Sequence, residues 1–324
     1  MSGSYRKINY DLRPAKSIER KMFCEALRKL TVFSDLSKYR YIGFGATFFT
    51  DFLLIHKSLG LKNLISIEKV KRDRSRFKFN CPYRCVQLQI GDSNDILPKI
   101  GWAQKTILWL DYDERLKESM LTDIGTFISR VQAGSIILIT INVKPDESLE
   151  QGAAKSRYDQ LTERITKIKI PIGVEEKDLD NQNYPKVCYD IINNEIDEIL
   201  SKRNGGLENK LIYKQLFNFY YKDSSPMLSV GGILYSEEDK IKIDECDFSG
   251  LSFIRCDRDI YDSYKIYIPI LTVREMRYLD QMMPLNDKLK IQKEKIPKFL
   301  TKNMIENYSK VYRYVPNYVE AEIH

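Results

Sequence analysis

The sequence has very few histidines and no long apolar run. Only His56 and His324 occur among its 324 residues, so a histidine general base is not expected. No uninterrupted apolar segment approaches the ~18–20 residues that a membrane span needs, and the N-terminal MSGSYRKINYDLRPAKS lacks the apolar centre of a signal peptide. We therefore expect a cytoplasmic protein without a membrane partner.

The cysteines do not have the spacing of a disulfide framework or a zinc site. All six cysteines are scattered through the chain, and this distribution predicts reduced thiols. Cys81 and Cys85 form one Cys-x3-Cys pair, but a zinc site would need about two more soft ligands. The composition, 43% hydrophobic and 30% charged, is that of an ordinary soluble globular protein.

Apolar runs alternate with helical patterns through the first half of the chain. The strand-like runs are YRYIG, NLISIE, CVQLQI, KTILWL and SIILITIN. This alternation predicts a parallel sheet covered by helices on both faces. The fold class that we predict is α/β: a Rossmann-like, doubly wound, mostly parallel sheet with a C-terminal antiparallel hairpin formed by LFNFYYKD and PMLSVGGILYS.

Further segments flank this sheet. An N-terminal helical segment is predicted within residues 1–35, and the Rossmann-like domain within 36–240. Residues 144–186 are expected to form an irregular or partly helical insertion. Residues 241–324 are expected to form a basic extension, in which KIKIDE, LSFIRC and YKIYIPIL are β-type segments.

Small and acidic residues stand where the first two strands end. In an open parallel sheet, ligands bind beyond the carboxyl ends of the strands. Gly43 and Gly45 follow the first strand, where small residues let the backbone approach a ligand. Glu68 ends the second strand, where a carboxylate can accept hydrogen bonds from both hydroxyls of a ribose. Taken singly, each feature also fits a plain turn or a solvated charge.

Carboxylates also follow the third and fourth strands. Asp92 stands where it could meet an adenine amino group, and Asp111 and Asp113 stand where they could remove a proton from a nucleophile. Asp113 fits equally well as the N-cap of the following helix. We predict no metal ligands, although Asp111 and Asn142 at neighbouring strand ends leave a Mg²⁺ site as an alternative.

These motifs resemble the class I S-adenosylmethionine-dependent methyltransferases, and more narrowly a bacterial group named for O-methyl transfer. The resemblance covers residues 10–145 through YIGFGATFFTDF, ISIE, IGDSNDIL and LWLDYD. It extends more loosely to the hairpin near 217–235 and to YIPILTVREMRYLDQMMP. The resemblance to this group also suggests a role in phage defence. The resemblance departs at the glycine turn, where Thr47 replaces a common third glycine and Phe48 and Phe49 are bulky.

The resemblance implies S-adenosylmethionine as the cofactor. Gly43 and Gly45 would flank its methionine part, Glu68 would bind the ribose, Asp92 would lie near the adenine, and Asp111 would lie at the transfer site. The Asp/Asn-Pro-Pro-aromatic tetrapeptide of amino-directed nucleic-acid methyltransferases is absent. We therefore predict methyl transfer to an oxygen of a small molecule or an RNA.

A second hypothesis is a methyltransferase-like subunit without turnover that binds nucleic acid or a protein partner. It rests on the altered glycine turn and on the basic segment 288–313, which has eight Lys or Arg residues. Tyr308, Tyr312 and Tyr314 are candidate stacking groups there, although packing is the commoner role.

Three basic residues lie on or next to the predicted N-terminal helix. Arg13, Lys16 and Arg20 could cover the cofactor or bind a phosphate. Charges on a helix usually face solvent, so the prediction for these three is solvated helix charge.

Overall fold

A computed structural model describes residues 13–206, 208–285 and 296–316 of the chain. Within these residues, eight strands form one sheet at the centre of the fold. The strands are β1 (Arg40–Gly43), β2 (Asn63–Glu68), β3 (Val86–Ile90), β4 (Thr106–Arg115), β5 (Ser135–Asn142), β6 (Leu211–Lys222), β7 (Pro226–Ser236) and β8 (Tyr264–Ile266).

The strand order of this sheet is β3-β2-β1-β4-β5-β7-β6-β8. Strands β1 to β5 pair in parallel, with β1 between β2 and β4. The strands β6 and β7 form an antiparallel hairpin, and β7 also runs antiparallel to β5. This topology confirms the predicted doubly wound, mostly parallel sheet with a C-terminal hairpin. The order reverses between β1 and β4, which is where such sheets bind ligands.

Helices cover both faces of the sheet. They are α1 (Pro14–Lys29), α2 (Thr50–Leu59), α3 (Arg74–Asn80), α4 (Ser93–Ile96), α5 (Glu118–Arg130), α6 (Arg157–Arg164), α7 (Tyr184–Asn204), α8 (Lys240–Glu245), α9 (Val273–Asp280) and α10 (Lys302–Val311). Helices α1 and α2 pack on one face, whereas α5 and α7 pack on the other. The predicted N-terminal helix is present as α1.

Side chains of the central strands alternate between these two faces. Trp109 of β4 packs edge-on against Phe23 of α1, with their ring centroids 4.9 Å apart. Its neighbours Leu108 and Leu110 pack on the other face with Ile124 of α5. Because a central parallel strand buries both of its faces, it is a continuous apolar run in the sequence.

Two segments that were predicted to be β-type are not strands. KIKIDE forms the short helix α8, and LSFIRC forms neither helix nor strand. In a strand, Ile241 and Ile243 would lie on the same face. In α8, Ile243 is buried while Ile241 is 73% exposed, so the two side chains do not share a face. An additional strand can join a sheet only by pairing with an unpaired edge strand, and β8 already pairs with the outer edge of β6. Of YKIYIPIL, only Tyr264–Ile266 pairs.

The insertion and the C-terminal extension differ in their relation to the sheet. The segment 144–186 contains α6 and several single 3-10 turns. The extension contributes β8 to the same sheet. The domain boundary at residue 240 stays a prediction. No helix among the described residues has the length and apolar character needed to cross a bilayer.

Candidate active site

A cavity of about 320 Å³ lies where the sheet order reverses. Its wall is formed by the turn after β1, the ends of β2 and β4, and the segment after β3. Five of the six predicted site residues line it: Gly45, Glu68, Asp92, Asp111 and Asp113. The volume is at the lower end of the ~300–1,000 Å³ of small-molecule sites. Four strand ends that are distant in sequence therefore contribute to one cavity.

Gly45 joins the turn after β1 to the end of β2. Its N–H donates to Glu68 Oε1 at 2.8 Å and to Ser66 Oγ at 3.2 Å. A Cβ at this position would lie 2.7 Å from Ser66 Oγ and 2.6 Å from Phe49 Cδ1. Glycine suits this position because any Cβ would overlap the Phe49 ring and the Ser66 hydroxyl.

Gly43 is not part of the cavity wall that the described residues form. It is buried in β1, and a Cβ there would lie 2.7 Å from the hydroxyl of Tyr41. The packing of Tyr41 thus accounts for the missing side chain at this position. The contact between Gly43 and a cofactor stays a prediction.

The bulky residues of the turn leave the cavity open. Phe49 is fully buried in the core, where its ring centroid lies 5.7 Å from that of Phe52. Ala46 and Phe49 have φ values of 50° and 51°, in the left-handed region that side chains seldom adopt. Phe49 and its neighbours Thr47 and Phe48 all lie outside the cavity wall.

Glu68 is a buried carboxyl group at the end of β2, with 6% of its surface exposed. It accepts hydrogen bonds from the Ser66 hydroxyl at 2.8 Å and from the Gly45 N–H. Burial raises the pKa of Glu68 to about 7, although these hydrogen bonds act in the opposite direction. Near neutral pH the group is therefore divided between its acid and carboxylate forms.

Asp92 lies at the edge of the cavity and caps α4. Its carboxylate accepts a hydrogen bond from the Asn94 N–H at 3.3 Å. The Nζ of Lys69 lies 2.6 Å from the other carboxylate oxygen, and this contact lowers the pKa of Asp92. The side chain of Lys69 is 80% exposed, so the pair borders on solvent.

Asp111 and Asp113 on β4 both face basic residues from the start of the described chain. Asp111 accepts a hydrogen bond from Lys16 Nζ at 2.8 Å. Asp113 lies 3.6 Å from Arg13. The N-cap of α5 is Lys117, and Asp113 is part of β4, so the alternative that Asp113 caps this helix is wrong.

The described residues contain no group of three or more His, Cys, Asp or Glu side chains that could hold a metal ion. Asn142 Oδ1, considered above as a Mg²⁺ ligand, accepts a hydrogen bond from the Lys144 N–H at 2.8 Å. Cys85 Sγ lies 3.7 Å from His56 Nδ1. All six cysteines are unpaired thiols, as predicted.

Helix α1 carries three buried charged side chains, two of which, Lys16 and Arg20, are predicted from the sequence to be solvated. Lys16, Glu19 and Arg20 are 1%, 0% and 4% exposed. Lys16 Nζ lies 2.8 Å from carboxylate oxygens of both Glu19 and Asp111. The Nε of Arg20 donates to Asp51, in the first turn of α2. The prediction of solvated charge is therefore wrong for Lys16 and Arg20.

The buried charges of α1 balance one another across the interface with the sheet. Against the lowering effect of burial, Asp111 and Glu19 raise the pKa of Lys16. Burial raises the pKa of Glu19 as well. No local pattern marks the contact between Lys16 and Asp111, because these residues are 95 positions apart. The local signal is the spacing of Glu19 and Arg20, three and four positions after Lys16, which places these side chains on one face of the helix.

The basic segment 288–313 lies partly outside the described residues, which leave out 286–295. In the described part, the hydroxyls of Tyr308 and Tyr314 donate to Asp280 and Glu25, and both rings are buried. These two tyrosines pack within the fold. The nucleic-acid surface stays a prediction.

The strand order, together with a cavity at its reversal point, defines an α/β protein of the Rossmann-like methyltransferase fold. The sequence pattern of the family described as "Putative O-methyltransferase" matches residues 8–323, and the chain belongs to this family. No curated protein matches the chain.

Several solved structures are similar to the chain at low identity. Trm1 from Pyrococcus horikoshii with S-adenosyl-L-methionine is 10% identical, covers 70% of this chain and 58% of its own, and has a TM-score of 0.44. The N-methyltransferase NodS from Bradyrhizobium japonicum WM9 with S-adenosyl-L-homocysteine is 10% identical, with coverages of 67% and 87% and a TM-score of 0.35. Cofactor-bound Rv0187 from MTB is 13% identical, with coverages of 66% and 79% and a TM-score of 0.35. This chain thus spans 58% of the length of Trm1, and similarities at this level assign neither substrate nor cofactor.

Proposed function

We propose that the protein transfers a methyl group from S-adenosylmethionine to an oxygen atom of a small molecule or an RNA. The observation that carries the proposal is the single cavity at the strand ends, which Gly45, Glu68, Asp92 and Asp111 all line. The family to which the chain belongs is named for the same activity.

The residues of the cavity suit an adenosyl group. The Glu68 carboxylate is fixed by the Gly45 N–H and can accept hydrogen bonds from a vicinal diol. Phe44 and Tyr112, whose ring centroids are 5.2 Å apart, add aromatic surface to the wall. An aromatic wall with a few fixed polar groups is typical of a small-molecule site.

The cofactor, when bound, supplies an electrophilic methyl group on a sulfonium ion. The protein then has to hold the acceptor oxygen close and in line, and to remove its proton. Lys16 fixes the orientation of Asp111 through a 2.8 Å contact. Asp113 follows on the same strand with its side chain 31% exposed. In this mechanism either carboxylate accepts the proton of the acceptor hydroxyl, and Asp113 can pass it to solvent.

Isothermal titration with S-adenosylmethionine, S-adenosylhomocysteine and NAD tests the choice of cofactor. We expect heat of binding with the first two ligands and none with NAD. The variant Gly45→Ala should lose this binding, because its Cβ would meet Ser66 Oγ and Phe49. The matched surface variant Glu163→Gln should retain it. Binding of NAD alone would favour a dehydrogenase and overturn the proposal.

A separate measurement decides whether the acceptor atom of the methyl group is oxygen or nitrogen. Incubation with methyl-labelled S-adenosylmethionine and fractionated small molecules or RNA should give a labelled ether or ester product. Asp111→Asn should lower the rate of labelling while leaving the affinity for S-adenosylhomocysteine nearly unchanged. A product labelled at nitrogen would exclude the O-directed assignment.

A further inference from the structure

Arg20 is a buried arginine in the wall of the cavity, together with Thr50, Asp51 and Asp111. Within the described residues its one hydrogen bond runs from Nε to Asp51. A guanidinium carries five N–H donors in a planar fork. Both terminal nitrogens of Arg20 are therefore left to donate to a ligand in the cavity.

The charges next to Arg20 select the chemistry of that ligand. Burial lowers the pKa of Arg20, but Asp51 and Asp111 raise it, so both carboxylates act on the guanidinium. Two carboxylates beside one arginine disfavour a phosphate, which carries further negative charge. They suit a zwitterion, whose carboxylate can pair with the guanidinium while its ammonium group lies near an acid. An α-amino acid group has this pattern of charge.

We propose that Arg20 binds the α-carboxylate of the amino-acid end of the cofactor, with Asp51 near the α-ammonium group. This inference rests on the proposed function, because S-adenosylmethionine has such an end. It makes α1 a part of the cofactor site. It also makes Arg20 the residue that selects nucleosides with an amino-acid carboxylate over those without one.

The test compares two ligands that differ only in this carboxylate, S-adenosylhomocysteine and its decarboxylated form. Each is titrated into the wild-type protein, Arg20→Met and Asp51→Asn. We expect the wild type to prefer the carboxylate-bearing ligand by roughly 10- to 100-fold, the range of a charge-assisted hydrogen bond. Arg20→Met should abolish the preference, and Asp51→Asn should retain it.

Arg20→Met leaves Asp51 buried without its partner, which can impair folding. The double variant Arg20→Met/Asp51→Asn removes both charges and should bind the two ligands equally. Arg20→Lys keeps the charge without the planar fork and should reduce the preference. The matched control is Arg28→Met, since Arg28 lies on α1 and its bond to the Ser58 carbonyl is at the surface.

The outcomes separate this inference from the proposed function. If the double variant still prefers the carboxylate-bearing ligand, or if the wild type binds both ligands equally, the assignment of Arg20 is overturned while cofactor binding stands. If the wild type binds neither ligand, the proposed function fails and the inference fails with it.

Discussion

Glu68 is buried, has a raised pKa and is predicted to bind the ribose. Its replacement should therefore change the stability of the protein and its affinity for a nucleoside in opposite directions. Glu68→Gln keeps the shape of the side chain and an oxygen that can accept from the Gly45 N–H and the Ser66 hydroxyl. It removes the group that ionises. We therefore expect a variant that is more stable than the wild type at alkaline pH but binds nucleoside less tightly.

The sign and size of the stability change follow from the pKa of Glu68. Its value rises from 4.5 to about 7 in the folded protein, so the folded state binds more protons than the unfolded chain between these values. The stability from protonated Glu68 is fully present below pH 4.5 and is lost as the pH rises through about 7. The difference between the two pKa values corresponds to at most roughly 3 kcal/mol of unfolding free energy. At pH 8 the variant should be more stable than the wild type by roughly 1–3 kcal/mol.

Urea unfolding at pH 5 and pH 8 measures this difference. At pH 5 the wild type and Glu68→Gln should have similar free energies of unfolding, because most of Glu68 is then protonated. Titration of S-adenosylhomocysteine at pH 8 should show a loss of affinity of about 10-fold, since a charged acceptor is missing. Glu163→Gln, a surface change, should alter neither quantity. Equal stability of variant and wild type at pH 8 would refute the reasoning from buried charge, and unchanged affinity would refute the ribose contact.

Three further substitutions test the cavity wall at Gly45 and two buried polar side chains, Lys16 and Tyr41. Gly45→Ala should lower the affinity for S-adenosylhomocysteine by more than about 10-fold, whereas Gly101→Ala, where a Cβ meets no atom within 4 Å, should bind normally in the same titration. Lys16→Met should lower the free energy of unfolding by about 3–5 kcal/mol in urea, because Asp111 loses a buried partner; a loss below about 1 kcal/mol, the value of a surface pair, would contradict this. Tyr41→Phe removes a buried hydroxyl that has no partner in the described residues, so thermal unfolding should show a neutral or slightly stabilised protein.

The central sheet could be predicted because its signal is local. β1, β4 and β5 are continuous apolar runs, and their identity as buried parallel strands needs no knowledge of other segments. The convergence of Gly45 and Glu68 followed from the same pattern, since parallel strands end at one edge of the sheet. The helix α8 was missed because KIKIDE has the alternation of a strand, and only the assembled sheet determines whether an edge is free to pair with it.

The position of Gly43 was also not predictable in detail. Its pattern is that of a residue beside a ligand, but the side chain of Tyr41 occupies the space next to it. The presence of a glycine after a strand indicates that space is limited there. It does not indicate whether a ligand or the protein itself takes up that space.

By itself, the sequence determined the class of fold and the edge of the sheet at which acidic residues meet, because periodicity and turn residues act within single segments. Only the tertiary structure decided the partners of those acids. Lys16 reaches Asp111 and Arg20 reaches Asp51 across 95 and 31 positions, and the protonation of Glu68 depends on its burial. Ion pairing and desolvation depend on distances between segments, and these distances exist only once α1 and α2 have packed against the sheet.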